Sequence, residues 1–548
     1  MSAATESSGV GRASMILASG TVVSRMLGFL SAIILARTLG IVGAGADTFA
    51  LANQIPNNVY ALVAGGVLSA ILVPHIVKAG LDKDGGQSFI NKIVTLGFVV
   101  FLTLAILATL LAPALIALYA QEGSDVGRGL SPEEMALATA FAYWCLPQIL
   151  FYALYSLLSE VLNARKVFGP FTWAPALNNV VAITGLLVFS VLFPVADTSQ
   201  ALAWTPGMVA LLAGSATLGV ASQAFILFLF WRKAGLEYRP DFRWRGVGLA
   251  RTGKAASWMF AMIVVSQVAG IVQANVASLA AGSDAPSLAI LRFSWLVFML
   301  PHSVVAVSLA TAYFTRMSTH ARDNNVVALG HDIRESLSRI GMFMVLACVG
   351  VITVALPFAR QFGANQESLA DMALVISLYA VGVVPFSVLF VAQRVFYALE
   401  DTRTPFLLQL FQSTIFVGLA LAVATFPTGQ IAFGLALSTS IAGGIQTALA
   451  LMVLSRKLGG FTFAPVLASY ARFALAALPA SAAGVSVLLA FGGAEPGAVA
   501  TATALSAMGV GALITVSMVL IYFVALALLR DKEAHSLFAV VRRKRPPQ

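Results

Sequence analysis

Fourteen stretches of this chain are each about 20 residues or longer and nearly free of charge, and they decide what it can fold into. A helix needs roughly 20 mostly apolar residues to cross about 30 Å of hydrocarbon. That ruler fits residues 15–37, 48–74, 93–118, 135–163, 171–195, 207–231, 255–280, 287–315, 338–357, 372–399, 405–426, 430–454, 470–491 and 502–529. A membrane barrel would alternate polar and apolar residues; runs such as AILATLLAPALIALYA do not. The expected fold is therefore an all-α polytopic membrane protein with 14 transmembrane helices. Composition agrees, with 59% hydrophobic and 10% charged residues against about 25% charged in soluble domains.

The same numbers exclude other classes. Two cysteines, Cys145 and Cys348, lie inside apolar runs and behave as small core residues rather than a disulfide framework. A net charge of +10 would suit nucleic acid only on a basic soluble face, and no soluble domain is expected, so no nucleic-acid partner is read. The first 14 residues are polar and the apolar run after them is too long for a cleaved signal peptide.

Lysine and arginine set the expected orientation. Placing the N-terminus, the even loops and the tail on one side gives that side 27 of the 33 basic residues, and a charge of +15 against −7 opposite. The loop Arg232–Lys254 alone has seven basic residues. Both termini are expected in the cytoplasm.

The chain also resembles itself at an offset near 243. Val22-Val23-Ser24-Arg25-Met26-Leu27-Gly28 aligns with Val264-Val265-Ser266-Gln267-Val268-Ala269-Gly270; Pro56 and Pro301 interrupt the second and eighth spans; VLNARKVFGPF (161–171) echoes VFYALEDTRTPF (395–406). Duplicating an even number of helices preserves orientation, which makes this a parallel repeat. The expected layout is a first lobe over 1–231, a basic linker over 232–254, a second lobe over 255–454, two further helices over 455–529 and a basic tail over 530–548. Two six-helix lobes suggest a central cavity and alternating access.

No catalytic constellation competes with transport. Walker A, HExxH and paired CxxC motifs are absent, and the five histidines are scattered. His302, alone in a span, reads as hydrogen-bonded packing. Ionisable groups in mid-bilayer cost about 3 kcal/mol and face a cavity or a partner. Away from the basic residues at span ends, the spans hold Arg25, Glu160, Arg292 and Arg394, with Arg37 and Asp47 flanking the first outer turn. Arg25 and Arg292 suit bidentate binding of a phosphate, although each could instead pair with a carboxylate or a helix C-terminus. Asp47 could cap the second helix or pair with Arg25 or Arg37. Glu160 and Arg394 occupy equivalent places in the repeat and could form a gate. Asp401 reads as a helix cap, and no metal-ligand set is identified.

Residues 24–57, SRMLGFLSAIILARTLGIVGAGADTFALANQIPN, continuing to GGVLSAILVP (65–74), together with YALEDTRTP (397–405), resemble the signatures of the MurJ/MviN family within the MOP exporter superfamily. Related drug exporters of that superfamily usually have twelve helices. The resemblance implies a flippase rather than an enzyme, exporting lipid II, the undecaprenyl-pyrophosphate-linked peptidoglycan precursor, across the bacterial plasma membrane. It implies a cationic cavity in which Arg25, Asp47 and Arg292 match the family's motif positions, no bound cofactor, and help from membrane potential or a cation gradient. It associates 470–491 and 502–529 with a groove for the lipid tail. Ser31 and Tyr60 stand where Gram-negative members carry further basic residues, so this cavity is expected to be less positive. Arg542-Arg543-Lys544-Arg545 in the tail should meet anionic headgroups of membrane lipids. A monomer suffices, with cell-wall synthesis proteins as possible partners.

Three other readings remain open from sequence. A flippase for another polyprenyl-linked oligosaccharide would use the same cavity chemistry. A cation-coupled drug exporter would favour an acidic cavity, whereas the span charges singled out here are Arg25, Arg292 and Arg394 against Glu160. A non-transporting scaffold would have no need of Arg25.

Overall fold

The structure, a computed structural model, describes residues 2–64, 75–81, 84–123, 128–195, 197–243, 253–281, 285–363, 366–495 and 497–536. Every regular element among the described residues is a helix, and the one β-contact is an isolated bridge between Glu122 and Leu130. The chain forms two compact units, Met1–Leu288 and Ala289–Gln548.

Unit 1 contains α1 (Ser2–Leu39), α2 (Ala44–Ala64), α3 (Gln87–Leu110), α4 (Ala112–Tyr119), α5 (Pro132–Cys145), α6 (Gln148–Ala164), α7 (Phe168–Leu192), α8 (Pro206–Phe225) and α9 (Gly253–Ser278). α10 (Leu288–Pro301) starts at the boundary, and α11 (Val307–Arg322), α12 (Val326–Ala359), α13 (Gln366–Ala380), α14 (Val383–Ala398), α15 (Arg403–Val423), α16 (Thr428–Lys457), α17 (Ala464–Ala490) and α18 (Ala504–Leu528) follow.

Among the described residues, thirteen helical stretches are long and apolar enough to cross a membrane, against the fourteen expected. The expected second span accounts for the difference. α2 carries Asp47, Asn53, Asn57 and Asn58 in 21 residues, which lowers its hydropathy, and residues 65–74, with the GGVLSAILVP motif, lie outside the described residues. So do the tail residues Arg542–Arg545 and part of the basic linker.

Several expected spans are broken where backbone chemistry requires it. Proline has no N–H and cannot continue a helical ladder. The fourth span accordingly divides into α5 and α6 at Leu146-Pro147. Its counterpart, the tenth, divides into α13 and α14 at Val381-Gly382, with Pro385 in the first turn of α14, where a missing N–H costs nothing. Beyond Pro301 the backbone widens into one π-helical turn, His302–Ala306, before α11.

The packing repeats inside each unit. In unit 1, α8 packs on α5, α6 and α7, and α2 packs on α6; in unit 2, α16 packs on α13, α14 and α15, and α11 packs on α14. These are the corresponding helices of a duplicated six-helix plan. α9, which the sequence reading placed at the head of the second lobe, packs on α2 and α4 and lies in unit 1.

Small residues allow this closeness, as is usual for helices in lipid. Gly185 of α7 faces Ser215 of α8, and Gly219 of α8 faces Asn178 of α7, with no room for a Cβ at either glycine. In unit 2, α17 and α18 pack on each other and on α12 around Met342, Phe473, Ile514 and Met518. Tyr522 donates to the Met342 carbonyl at 2.8 Å and Tyr470 to the Leu337 carbonyl at 3.0 Å, so α17 and α18 are fixed to α12 by polar as well as apolar contacts.

Candidate functional site

Arg25 lies on the span formed by residues 19–39 of α1. One face of α1 is committed to α7: Gly20 meets Thr172 and Trp173, Gly28 meets Asn179, and the Asn179 amide donates to the Ser24 carbonyl at 2.9 Å. Positions 20, 24 and 28 share that face because residues four apart do so on a helix. Arg25 is turned about 100° from Ser24 and leaves the protein surface exposed. Among the described residues it makes no hydrogen bond or ion pair.

Arg37 is exposed in the last turn of α1, where a cation complements the helix dipole. Gly40, with φ +87°, ends that helix, as glycine commonly does in the left-handed region. The following GAGAD segment (43–47) has a close-approach role. The Ala44 and Gly45 amides donate to the Ser199 and Thr198 carbonyls at 2.9 and 3.0 Å. A Cβ on Gly45 would come within 2.5 Å of the Trp204 ring. Asp47, 1% exposed in the first turn of α2, accepts a hydrogen bond from the Ser287 hydroxyl. The helix starts at Ala44, so Asp47 is its fourth residue and not its N-cap; its charge still favours the first turn, and Ser287 is a partner that sequence did not suggest.

Glu160 ends a polar stripe on α6. Residues 148, 152, 156 and 160 are four apart and share one face. Gln148, buried, donates to Asn53 at 3.2 Å and Thr217 at 3.0 Å. Tyr152 stacks on Tyr60 of α2, with centroids 5.8 Å apart, and Tyr60 also interacts with Ser156 and Glu160. A polar seam, uncharged except at its Glu160 end, thus runs between α2 and α6. Its four-residue spacing was readable from sequence, and only its end, Glu160, was singled out.

In unit 2, Arg292 is half-buried near the start of α10. Arg394 of α14 stacks over Phe390 at 4.7 Å and Phe314 at 5.5 Å, a cation–π arrangement. Phe390 meets His302 edge-on at 5.3 Å, and His302 Nδ1 lies 2.9 Å from the Ser387 hydroxyl. His302, 2% exposed, is packed and hydrogen-bonded as expected. Glu160 belongs to unit 1 and Arg394 to unit 2, as Arg25 and Arg292 do respectively.

Asp401 caps α15: its carboxylate accepts from the Thr404 amide at 2.9 Å and from the Thr404 hydroxyl, and it pairs with Lys457. Burial pushes this carboxyl up, but the Lys457 ammonium and the Thr404 bonds outweigh burial and hold it below the usual range. His331, Asp332 and Glu335 place ligand-capable atoms within 4.8 Å of one another. Those carboxylates are already engaged within the protein: Asp332 takes Arg316 and has the His320 ring 2.9 Å away, and Glu335 takes Arg339 at 2.7 Å, which also reaches Glu533 at 3.1 Å. The cluster therefore fits an ion-pair network better than a metal centre.

Residues 35–523 match the family model described as "Lipid II flippase MurJ". The chain belongs to the MurJ family. Among curated relatives, a "Probable lipid II flippase MurJ" of Rhizobium tropici is 24% identical over 539 residues, spanning 96% of this chain and 95% of its own. The fold is similar to that of "Lipid II flippase MurJ, inward closed conformation", with TM-score 0.70, 20% identity and coverage of 94% of this chain and 100% of that one. It is also similar to an inward-facing multidrug resistance MATE family transporter of the MOP superfamily, at TM-score 0.54 and 16% identity over 80% of this chain and 94% of that one. This MurJ-family chain is thus a multi-pass membrane protein with a transporter fold, and not an enzyme.

Proposed function

We propose that this chain exports lipid II from the inner to the outer leaflet of the bacterial plasma membrane by alternating access. Arg25 and Arg292 hold the pyrophosphate, Asp47 orders the outer end of the cavity, and Arg37, Glu160 and Arg394 act at its gates. The observation that carries this is Arg25: a guanidinium inside the span Ser19–Leu39, with no hydrogen bond or ion pair among the described residues. An arginine costs about 3 kcal/mol there, and a diphosphate bound through its planar fork supplies the missing counter-charge.

The basic side carrying both termini is the cytoplasmic side, and its positive field draws anionic precursors toward the mouth. Outward movement of an anion is favoured by an inside-negative potential, by about 2.3 kcal/mol per charge per 100 mV; membrane potential or a cation gradient drives the cycle without a bound cofactor. α17 and α18 form the groove for the lipid tail. The chain works as a monomer, alongside cell-wall synthesis proteins.

Binding tests this reading. Native mass spectrometry of the purified chain with lipid II should show a complex that the Arg25→Ala/Arg292→Ala double variant loses at least tenfold. Equal retention by a folded double variant would contradict the assignment of the arginines. Stronger retention of a different polyprenyl-linked glycan would move the substrate to that class.

A further inference from the structure

Away from these residues, unit 1 contains an apolar cavity of about 350 Å³, within the size range of ligand pockets. Its walls are Phe98 and Val99 of α3, Leu154 of α6, Phe225 at the end of α8 and Phe228 in the 3-10 turn after it. Its roof is the extended segment 236–243, the part of the basic linker that follows α8.

Three polar residues of α3, each one turn further along, hold this strap. Gln87 accepts from the Glu237 amide at 3.1 Å and donates to the Glu237 carbonyl. Asn91 accepts from the Arg239 amide at 3.4 Å. Thr95 accepts from the Asp241 amide at 3.0 Å and lies 3.1 Å from the Tyr238 hydroxyl. The extended backbone sends alternate side chains to opposite faces. Tyr238, Pro240 and Phe242 close the pocket, while the side chains of Arg239 and Arg243 are 81% and 84% exposed. Arg239 pairs with Glu237, an exposed pair and therefore weak, whereas Arg243 is held on the Asp241 carboxylate by two bonds, from Nε at 3.0 Å and Nη2 at 2.9 Å, which fixes its guanidinium on the strap's outer face. The rim is apolar and open, with Phe225 and Phe242 both exposed.

The geometry points to a binding site for one anionic phospholipid, with an acyl chain under the strap and its phosphate against Arg239 and Arg243. Charge complementarity selects the occupant: an aromatic-walled slot beneath a strap that presents arginines suits a lipid anionic at its head and apolar in its chain. Clusters of basic residues beside membrane helices attract such lipids. The site lies wholly within unit 1 and does not depend on which lipid-linked precursor the protein transports.

The test uses the full-length chain, delipidated and incubated with equal phosphatidylglycerol and phosphatidylcholine, then examined by native mass spectrometry. Wild type should retain one more phosphatidylglycerol than Val99→Trp, which fills the cavity and leaves the arginines. Arg239→Gln/Arg243→Gln leaves the cavity and should reduce the headgroup preference at least fivefold. Leu154→Phe fills the same cavity from α6 and replaces Val99→Trp if that variant fails to fold. Identical lipid counts in wild type and a folded cavity-filled variant would overturn the site. So would absence of headgroup preference in wild type.

Discussion

The hydroxyl of Ser287 donates to the buried carboxylate of Asp47 across 240 residues of sequence, joining the start of α2 to the segment beyond α9. Removing the donor leaves a buried anion one bond short, and hydrogen bonds to charged groups contribute about 1.5–3 kcal/mol. Ser287→Ala should destabilise the purified chain by that amount in thermal or denaturant unfolding. Asp47→Ala should cost more, because the first turn of α2 also loses a favourable negative charge. The double variant should cost clearly less than the two singles combined; strict additivity would mean the pair is not coupled.

The GAGAD segment predicts a sharp contrast between two glycines. A methyl group at Gly45 meets the Trp204 ring and the Thr198 carbonyl, while one at Gly418 of α15 meets nothing within 4 Å. Gly45→Ala should therefore destabilise by about 1–3 kcal/mol. Gly418→Ala should be neutral or stabilising by up to about 1 kcal/mol, the helix-propensity difference. Thermal midpoints of the two purified variants decide it.

Asp401 gives a pH dependence of known sign. Its folded-state pKa is lowered, against the burial that raises it, by Lys457 and Thr404. Stability from this group is therefore complete above the unfolded carboxyl value near 3.8 and is lost as pH falls through the lower folded value. Lys457→Met should weaken the wild type at neutral pH and flatten the acid limb of its stability profile below about pH 4. An unchanged acid limb in Lys457→Met would show that the pair does not set it.

Hydropathy was enough to read the helical class, because a run of 20 apolar residues has few other uses. It identified the spans with long apolar cores and was weakest at α2, whose Asp47 and three asparagines dilute the signal. The breaks were less legible. Pro147, Pro301 and Pro385 all sit inside apolar runs, and only the packed structure decides that one ends a helix, another precedes a π turn and the third opens a helix. Ser287 could not have been found, since a partner 240 residues away leaves no local pattern. The seam from Gln148 to Glu160 did have one, at four-residue spacing, and its uncharged members were passed over for the charged end. For Arg394, sequence offered a carboxylate partner, whereas its guanidinium lies over Phe390, one turn earlier on the same helix, and Phe314, brought in from α11.

The central claim is that Arg25 serves an anionic lipid-linked substrate in mid-membrane. The most direct test uses a bacterium whose own lipid II exporter is depleted and measures the fraction of lipid II reached by an externally added degrading enzyme. Wild-type chain should restore that exposure. Equally abundant Arg25→Ala should reduce it at least tenfold, and Arg25→Lys, which keeps the charge but loses the planar fork, should fall between. Full exposure with Arg25→Ala, correctly inserted and at wild-type abundance, would contradict the account.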